Sequence, residues 1–313
     1  MYELMQLLLD AAENFVRDNT SALLNGISLA QCNLAQRLLN KMREAMESRD
    51  LQLFNKCLVR LYAVIPRSTQ NAYIAKILAR NGFLEYELDK LGERIDLEQE
   101  FCDNVTGAVK AVLAGTTTNT KTKEQAKIDG ICLQNGLTIT PATKEDIDFI
   151  KSNMQGDTRK FIRAWKTTNK NTDAKYKKYL KNKNITNTRT LWHGSGTSNF
   201  LSILTNGLQI SKASYGMFGK GIYFAKDFDK SRGYCSVCNS RWRGGSDDTA
   251  MLALFDVAIG NPWHLDDSKS GIDASTIGHY DSVWAHKGAH LHRDEFIVYN
   301  QNACTIRYIV ETK

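Results

Sequence analysis

Ala114-Gly-Thr-Thr-Thr-Asn-Thr-Lys-Thr-Lys123 divides this chain into two halves of different character. Beyond Ala114 it holds no apolar side chain and is rich in threonine, which reads as an exposed linker, and we assign residues 114–130 to that linker. Before it, apolar residues recur at helical spacing. After it, short β-rich runs alternate with glycine and polar clusters.

Residues 1–113 read as an all-helical bundle. Over 3–18, Met5, Leu8, Leu9, Ala12, Phe15 and Val16 fall on one stripe, as a core-facing helix requires. Ser28-Leu-Ala-Gln31 has the form of a capping box opening a helix that runs to about residue 48. A third helix from residue 51 must stop near Pro66, because proline disfavours helical geometry in the residue before it. Further helices are expected over 70–81, with Gly82 as the stop, and over 84–113, interrupted near Gly92.

Residues 131–313 predict a mixed α+β domain. Strands are expected over 137–140, 190–193, 221–225, 251–259, 295–300 and 305–311, with helices over 143–154 and 199–206. The run 251–259 is apolar enough for a central strand. The last two runs, separated by Gln301 and Asn302, suit a hairpin.

Composition narrows the functional classes. The 313 residues, 42% hydrophobic, suffice for two cores of ordinary domain size. No apolar run reaches the length of a membrane span, and Glu3 stands where a secretory signal would carry a base, so an intracellular protein with no membrane partner is expected. The seven cysteines are odd in number and widely spaced, which predicts reduced core thiols. Cys235 and Cys238 have no properly spaced third and fourth ligand, so no metal is expected.

The net charge of +7 is uneven: residues 1–113 carry 13 Lys and Arg against 15 Asp and Glu, and the excess lies beyond them. Between Lys160 and Arg189 ten bases meet one acid, Asp173, with Trp165, Tyr176 and Tyr179 interspersed. Such a stretch is either a solvated lysine-rich face or a surface for nucleic acid, an ADP-ribose polymer or an acidic protein tail.

Residues 190–234 are dense in groups suited to a polar aromatic ligand. Gly194 and Gly196 lie beside a strand where backbone amides can approach a ligand, Ser195 and Thr197 add hydroxyls, and Tyr215, Tyr223 and Tyr234 offer ring faces. Each of these has an ordinary structural reading when taken singly.

Three ordered segments are more specific. Thr190-Leu-Trp-His-Gly-Ser195 with Asn199 and Gly207-Leu208, then Gly216-Met-Phe-Gly-Lys-Gly-Ile-Tyr-Phe-Ala225 with Lys230-Ser231 and Tyr234-Cys235, then Glu295-Phe-Ile-Val-Tyr-Asn300 together resemble the histidine, tyrosine, glutamate signature of the poly(ADP-ribose) polymerase family. Ile27-Ser-Leu-Ala-Gln31, Leu58-Val-Arg-Leu-Tyr-Ala-Val-Ile-Pro66 and the acidic stretch up to Cys102 resemble, more loosely, the helical regulatory domain of DNA-damage-responsive members. The resemblance implies an α+β architecture of an N-terminal helical bundle followed by an ADP-ribosyltransferase domain with a mostly antiparallel split sheet. It assigns 1–113 to regulation, 114–130 to the linker and 131–313 to catalysis.

By the same resemblance the chain uses NAD as substrate, modifies acceptor proteins including itself, and elongates ADP-ribose in a DNA-damage response. His193, Tyr223 and Glu295 are the implied catalytic residues. Gly194 and Ser231 would hold the nicotinamide carboxamide, Tyr234 and Tyr223 its ring, and His193, Ser195, Asn199 and Gln209 the adenosine end. Met217, Lys230 and Glu295 match positions near the elongation site. Chemistry supports a glutamate there: nicotinamide is a cationic leaving group, its departure leaves positive charge on the ribose, and a nearby carboxylate stabilises that charge.

Departures bear on the donor pocket: Gln209 stands where better-known members carry arginine, the loop 211–216 is shorter, and Tyr215-Gly216 inverts the usual order. Damaged DNA would be met through domains outside this chain or through the basic 160–189 stretch. The expected compartment is the nucleus in a eukaryote and the cytoplasm in a bacterium. A mono-ADP-ribosyltransferase, and a catalytically silent module that binds polymer or nucleic acid, remain the alternatives.

Overall fold

The structure, a computed structural model, describes residues 1–20, 26–67, 85–114, 123–155, 158–210, 215–238, 240, 247–288 and 291–313. The chain forms two compact units, Met5–Gly130 and Ile131–Lys313 together with Met1–Leu4. No helix among the described residues is long and apolar enough to cross a membrane.

The first unit is helical: α1 (Tyr2–Asn19), α2 (Leu29–Glu47), α3 (Leu51–Val64), α4 (Glu85–Ala114) and α5 (Lys123–Asn135). The local signals act as their chemistry dictates. The Ser28 hydroxyl accepts from the Gln31 amide while the Gln31 side chain accepts from the Ser28 amide, and the Asp50 side chain caps α3 by accepting from the Leu53 amide. α3 ends at Val64, two residues before Pro66. Leu38, Leu39, Met42, Phe54, Leu58, Leu61, Ile95, Phe101 and Val105 form the core. Fully burying each such side chain contributes about 1.5–3 kcal/mol.

Two expectations need comment. α4 runs unbroken through Gly92, whose added Cβ would meet only Met46 Cε at 3.9 Å. One glycine costs about 1 kcal/mol, which a 30-residue helix with a buried face absorbs without a break. The helix expected over 70–81, Gly82, and linker residues 115–122 lie outside the described residues, while 123–130 are helical within α5.

The second unit is built on sheets. β1 (Leu137–Pro141), β2 (Phe161–Asn169), β11 (Cys304–Thr312), β7 (Ala250–Ala258) and β3 (Thr188–Gly194) lie in that order, all antiparallel. β6 (Ile222–Phe224), β10 (Glu295–Val298), β9 (Ser282–Ala285) and β8 (Pro262–Leu265) form a second sheet, parallel only between β8 and β9. β4 (Tyr215–Gly216) and β5 (Gly219–Lys220) make a short ribbon. Helices α6 (Lys144–Asn153), α7 (Lys170–Lys183), α8 (Phe200–Asn206) and α9 (Phe228–Arg232) complete the unit. β7 is buried almost throughout, as its apolar run predicts.

The last two strands are not a hairpin. β10 pairs with β6 and β9, whereas β11 pairs with β2 and β7, so the short turn Gln301–Ala303 carries the chain from one sheet to the other. Turn length fixes proximity of two strand ends but not which edge each strand pairs with. Among the described residues, the sheets are joined where the Trp192 and Ala225 amides and carbonyls exchange hydrogen bonds of 2.8 and 3.0 Å.

The basic stretch is ordered structure, comprising β2 and α7. Trp165 and Tyr176 are buried in it and serve as core. Lys160 pairs with Asp229, Arg163 with Glu311, Lys166 with Asp146, and Arg189 lies 4.2 Å over the Trp284 ring. The exposed cations are Lys166 of β2 and those of α7, Lys170, Lys175, Lys177, Lys178, Lys181 and Lys183.

Candidate active site

The junction between the sheets sets the site. Trp192 pairs across to Ala225, so backbone alternation turns the N–H and C=O of Gly194, two residues on, towards the same edge. Among the described residues, no strand pairs with β3 at that point of the edge, because β6 has ended and the chain has turned into α9. Gly194 is glycine for a packing reason as well: a Cβ there would sit 1.8 Å from the Ser231 carbonyl oxygen.

His193 Nδ1 lies 3.0 Å from the Tyr223 carbonyl oxygen. A carbonyl only accepts, so Nδ1 carries the proton and Nε2 keeps a lone pair for a ligand hydroxyl. The imidazole stands 5.7 Å from the Phe224 ring and 6.0 Å from that of Phe255. Burial holds its pKa below the ordinary 6.5, with the Tyr223 hydrogen bond offsetting part of the effect.

Tyr223 pairs with Ile297 across β6 and β10, and Glu295, two residues before Ile297, therefore shares the tyrosine's sheet face. The Tyr223 hydroxyl is fully engaged, accepting from the Phe218 amide at 3.0 Å and donating to the Gly219 carbonyl at 2.8 Å. Its ring covers Gly216, where a Cβ would come within 2.4 Å of the phenol oxygen. This residue therefore offers a ligand its ring rather than its hydroxyl.

Glu295 is 7% exposed and accepts from Lys230 Nζ at 2.8 Å. Lys230 Nζ also donates to the Arg293 carbonyl at 2.8 Å. Burial pulls the lysine pKa down, and the charges of Glu295, Asp294 and Asp227 oppose it. Burial, followed by the field of Glu295, raises the Tyr223 phenol well above its usual value and pushes Tyr234 up to about 12. The carboxylate thus stands in electrostatic contact with both phenols.

Of the remaining expected residues, the Ser231 hydroxyl donates to the Trp192 carbonyl at 3.2 Å, and Asn199 Nδ2 donates to Ser195 Oγ at 2.9 Å. Tyr234 is 43% exposed and Met217 42%, the latter at the tip of the β4–β5 ribbon. Gln209 is half-buried beyond α8, ahead of residues 211–214, which lie outside the described residues together with the shortened loop they form. The structure brings His193, Gly194, Tyr223, Ser231, Lys230, Tyr234 and Glu295 together. Among the described residues, no contact joins the Gln209 or Met217 side chain to that group.

Three residues were not anticipated. Asp227 caps α9, accepting from the Lys230 amide at 2.9 Å; Arg293 pairs with Asp227; and Asp294 accepts from Lys287 N and Trp284 Nε1, each at 2.8 Å. The capping signal Asp227-Phe-Asp-Lys230 was legible in the sequence. Nothing in the sequence foretold the Arg293 contact, which spans 66 positions.

Comparison with known proteins agrees with this geometry. Residues 150–287 match the family model described as the poly(ADP-ribose) polymerase catalytic domain. The match ends before Glu295, so the carboxylate's place rests on the pairing of β10. The chain is 32% identical over 180 residues to poly [ADP-ribose] polymerase 1 of Caenorhabditis elegans, covering 46% of this chain and 18% of that protein. It is 26% identical over 181 residues to protein mono-ADP-ribosyltransferase PARP3 of Mus musculus, covering 47% and 32%. It is 26% identical over 260 residues to poly [ADP-ribose] polymerase 1 of Gallus gallus, covering 77% and 23%. The chain spans less than a third of the length of these relatives. With its split sheet and the carboxylate of β10 on the sheet face of the β6 tyrosine, the chain carries, over residues 150–287, a segment similar to the poly(ADP-ribose) polymerase catalytic domain.

Proposed function

We propose that this chain is an NAD-dependent protein ADP-ribosyltransferase that releases nicotinamide and elongates ADP-ribose on acceptor proteins, itself included. The observation that carries the reading is the buried Glu295–Lys230 pair on the sheet face of Tyr223, beside the His193-Gly194 edge.

The residues fit NAD as substrate. The unpaired edge at Gly194 matches a carboxamide, which both donates and accepts. The exposed Tyr234 ring can stack on the pyridinium, and His193 Nε2 can accept a ribose hydroxyl. Holding both ends of the dinucleotide directs binding energy to the ribose between them. As the C1′–N bond breaks, its electron pair leaves with nicotinamide and positive charge grows on the ribose. Glu295 stabilises that charge, orients the acceptor hydroxyl and takes its proton as the new C1′–O bond forms.

We read the carboxylate at this position as favouring polymer formation, as the resemblance of the Glu295 segment implies. A single-unit product is the second reading, favoured by the match to a mono-ADP-ribosyltransferase. We assign residues 1–113 an autoinhibitory role and 131–313 the catalysis, and we connect the activity to DNA damage in a nuclear setting if the source is eukaryotic. The exposed lysines of α7 are the surface for DNA in this chain.

Incubation with labelled NAD, with and without broken DNA, tests all of this. Ladders of labelled protein are expected, single bands would establish the mono reading, and no label would defeat the transferase reading. Basal turnover should rise in a 131–313 fragment; rates equal to those of the full chain would remove the regulatory role.

A further inference from the structure

We propose that Arg293 is a positioning residue that keeps the Lys230 ammonium on Glu295 by occupying the competing carboxylate of Asp227, and that it thereby sets how much ADP-ribose reaches an acceptor rather than water. The proposal rests on the transferase reading above.

The geometry is a closed ring of contacts. Asp227 Oδ1 accepts from the Lys230 backbone amide and from Arg293 Nη1. The Arg293 carbonyl in turn accepts from Lys230 Nζ, which also reaches Glu295 Oε1, both at 2.8 Å. Arg293 therefore grips Lys230 at both ends, through the cap that starts α9 and through the ammonium itself. One residue separates it from Glu295, and that residue, Asp294, is held by Lys287 N and Trp284 Nε1.

Charge explains why this grip bears on chemistry. The ammonium lies in the field of three carboxylates, Glu295, Asp294 and Asp227, with only one of which it is ion-paired. Asp294 is occupied by two N–H donors, and Asp227 is neutralised by Arg293. Remove the guanidinium, and Asp227, whose side chain is 27% exposed, loses its ion pair beside a lysine whose side chain is only 12% exposed. The ammonium then divides its time between two acids. Glu295 loses the contact that holds its carboxylate in one orientation, and an incoming acceptor hydroxyl loses its alignment.

The transfer step balances in either outcome. The C1′–N bond of NAD breaks with its electron pair going to nicotinamide, a new C1′–O bond forms to an acceptor hydroxyl or to water, and the oxygen's proton passes by way of Glu295 to solvent. Water needs little orientation at high concentration, whereas a protein or ribose hydroxyl needs much. Disorder of the pair should therefore cost transfer more than it costs nicotinamide release.

The experiment uses the full chain and measures two quantities with labelled NAD: nicotinamide released, and the fraction of ADP-ribose that becomes protein-bound. Arg293→Ala should lower the protein-bound fraction on the order of tenfold while nicotinamide release changes less than about threefold, as expected for loss of one orienting contact. Arg293→Lys should fall between. The decisive variant is Arg293→Ala with Asp227→Asn, which keeps an N-capping oxygen but removes the competing charge, and should restore the fraction to within about threefold of wild type. An unchanged fraction in Arg293→Ala overturns the proposal, as does failure of the double variant to recover at an unaltered melting temperature. A wild-type chain that releases no nicotinamide overturns the transferase reading instead.

Discussion

The Lys230 ammonium meets the Glu295 carboxylate at 2.8 Å although their side chains are only 12% and 10% exposed. A pair so far removed from water is costly to break, because the remaining charge is left buried and alone. Glu295→Gln should keep a hydrogen bond to Lys230 and lose the charge that stabilises the ribose. We expect elongation to fall by about 10²–10³-fold while NAD still binds. Polymer length on a gel, read beside NAD affinity by titration calorimetry, checks this; full-length polymer from the variant would refute the role.

His193 gives the activity an acid limit. Its imidazole pKa is held below 6.5 by burial, so the ring is neutral at pH 7 and Nε2 accepts. kcat/KM should therefore be flat through neutrality and decline only below about pH 6.5, the ordinary imidazole value. The same depression makes the folded chain poorer in protons than the unfolded one in that range. Stability should fall there as pH falls. A pH profile of kcat/KM for NAD that already declines above pH 7 would contradict the protonation state deduced from the Tyr223 contact.

Gly194→Ala places a Cβ 1.8 Å from the Ser231 carbonyl oxygen, and backbone meeting backbone has no flexible end to yield. Overpacking of this kind costs about 1–3 kcal/mol. A lower melting temperature and a raised KM for NAD are expected, since the same edge is assigned to the carboxamide. A variant with wild-type stability would show that the β3 end and α9 shift freely.

Asp146 contributes stability with a definite pH sign. The Tyr308 hydroxyl, at 2.7 Å, is the main cause holding its carboxyl well below the usual range, aided by Lys166 at 3.0 Å and the Thr143 cap. The contribution is present above pH about 4, the unfolded carboxyl value, and is lost as pH falls through the lower folded value. Tyr308→Phe should cost about 1–2 kcal/mol at pH 7 in urea unfolding, and less at pH 2. An equal loss at both pH values would show that Asp146 is not the hydroxyl's partner.

How much was legible in the sequence depended on the range of the interaction. The Ser28–Gln31 box, the stop before Pro66, the stripe of α1 and the apolar run of β7 were all read correctly, because each is decided within one turn or one strand. β2 and α7 were missed, because their lysines masked the buried Trp165 and Tyr176 that anchor them. Gly92 was overweighted, since a local propensity yields to the packing of the whole helix.

By itself, the order of residues determined many of the element types, because these follow from short-range spacing, while His193, Tyr223, Lys230 and Glu295 were singled out by the resemblance of their segments to a family signature. Only the tertiary structure decided that β10 joins β6 while β11 joins β7, that Gly194 must clear Ser231, and that Arg293 closes on Asp227. Strand partners and distant ion pairs are selected by competition among many surfaces during folding, and no local pattern encodes which of them wins.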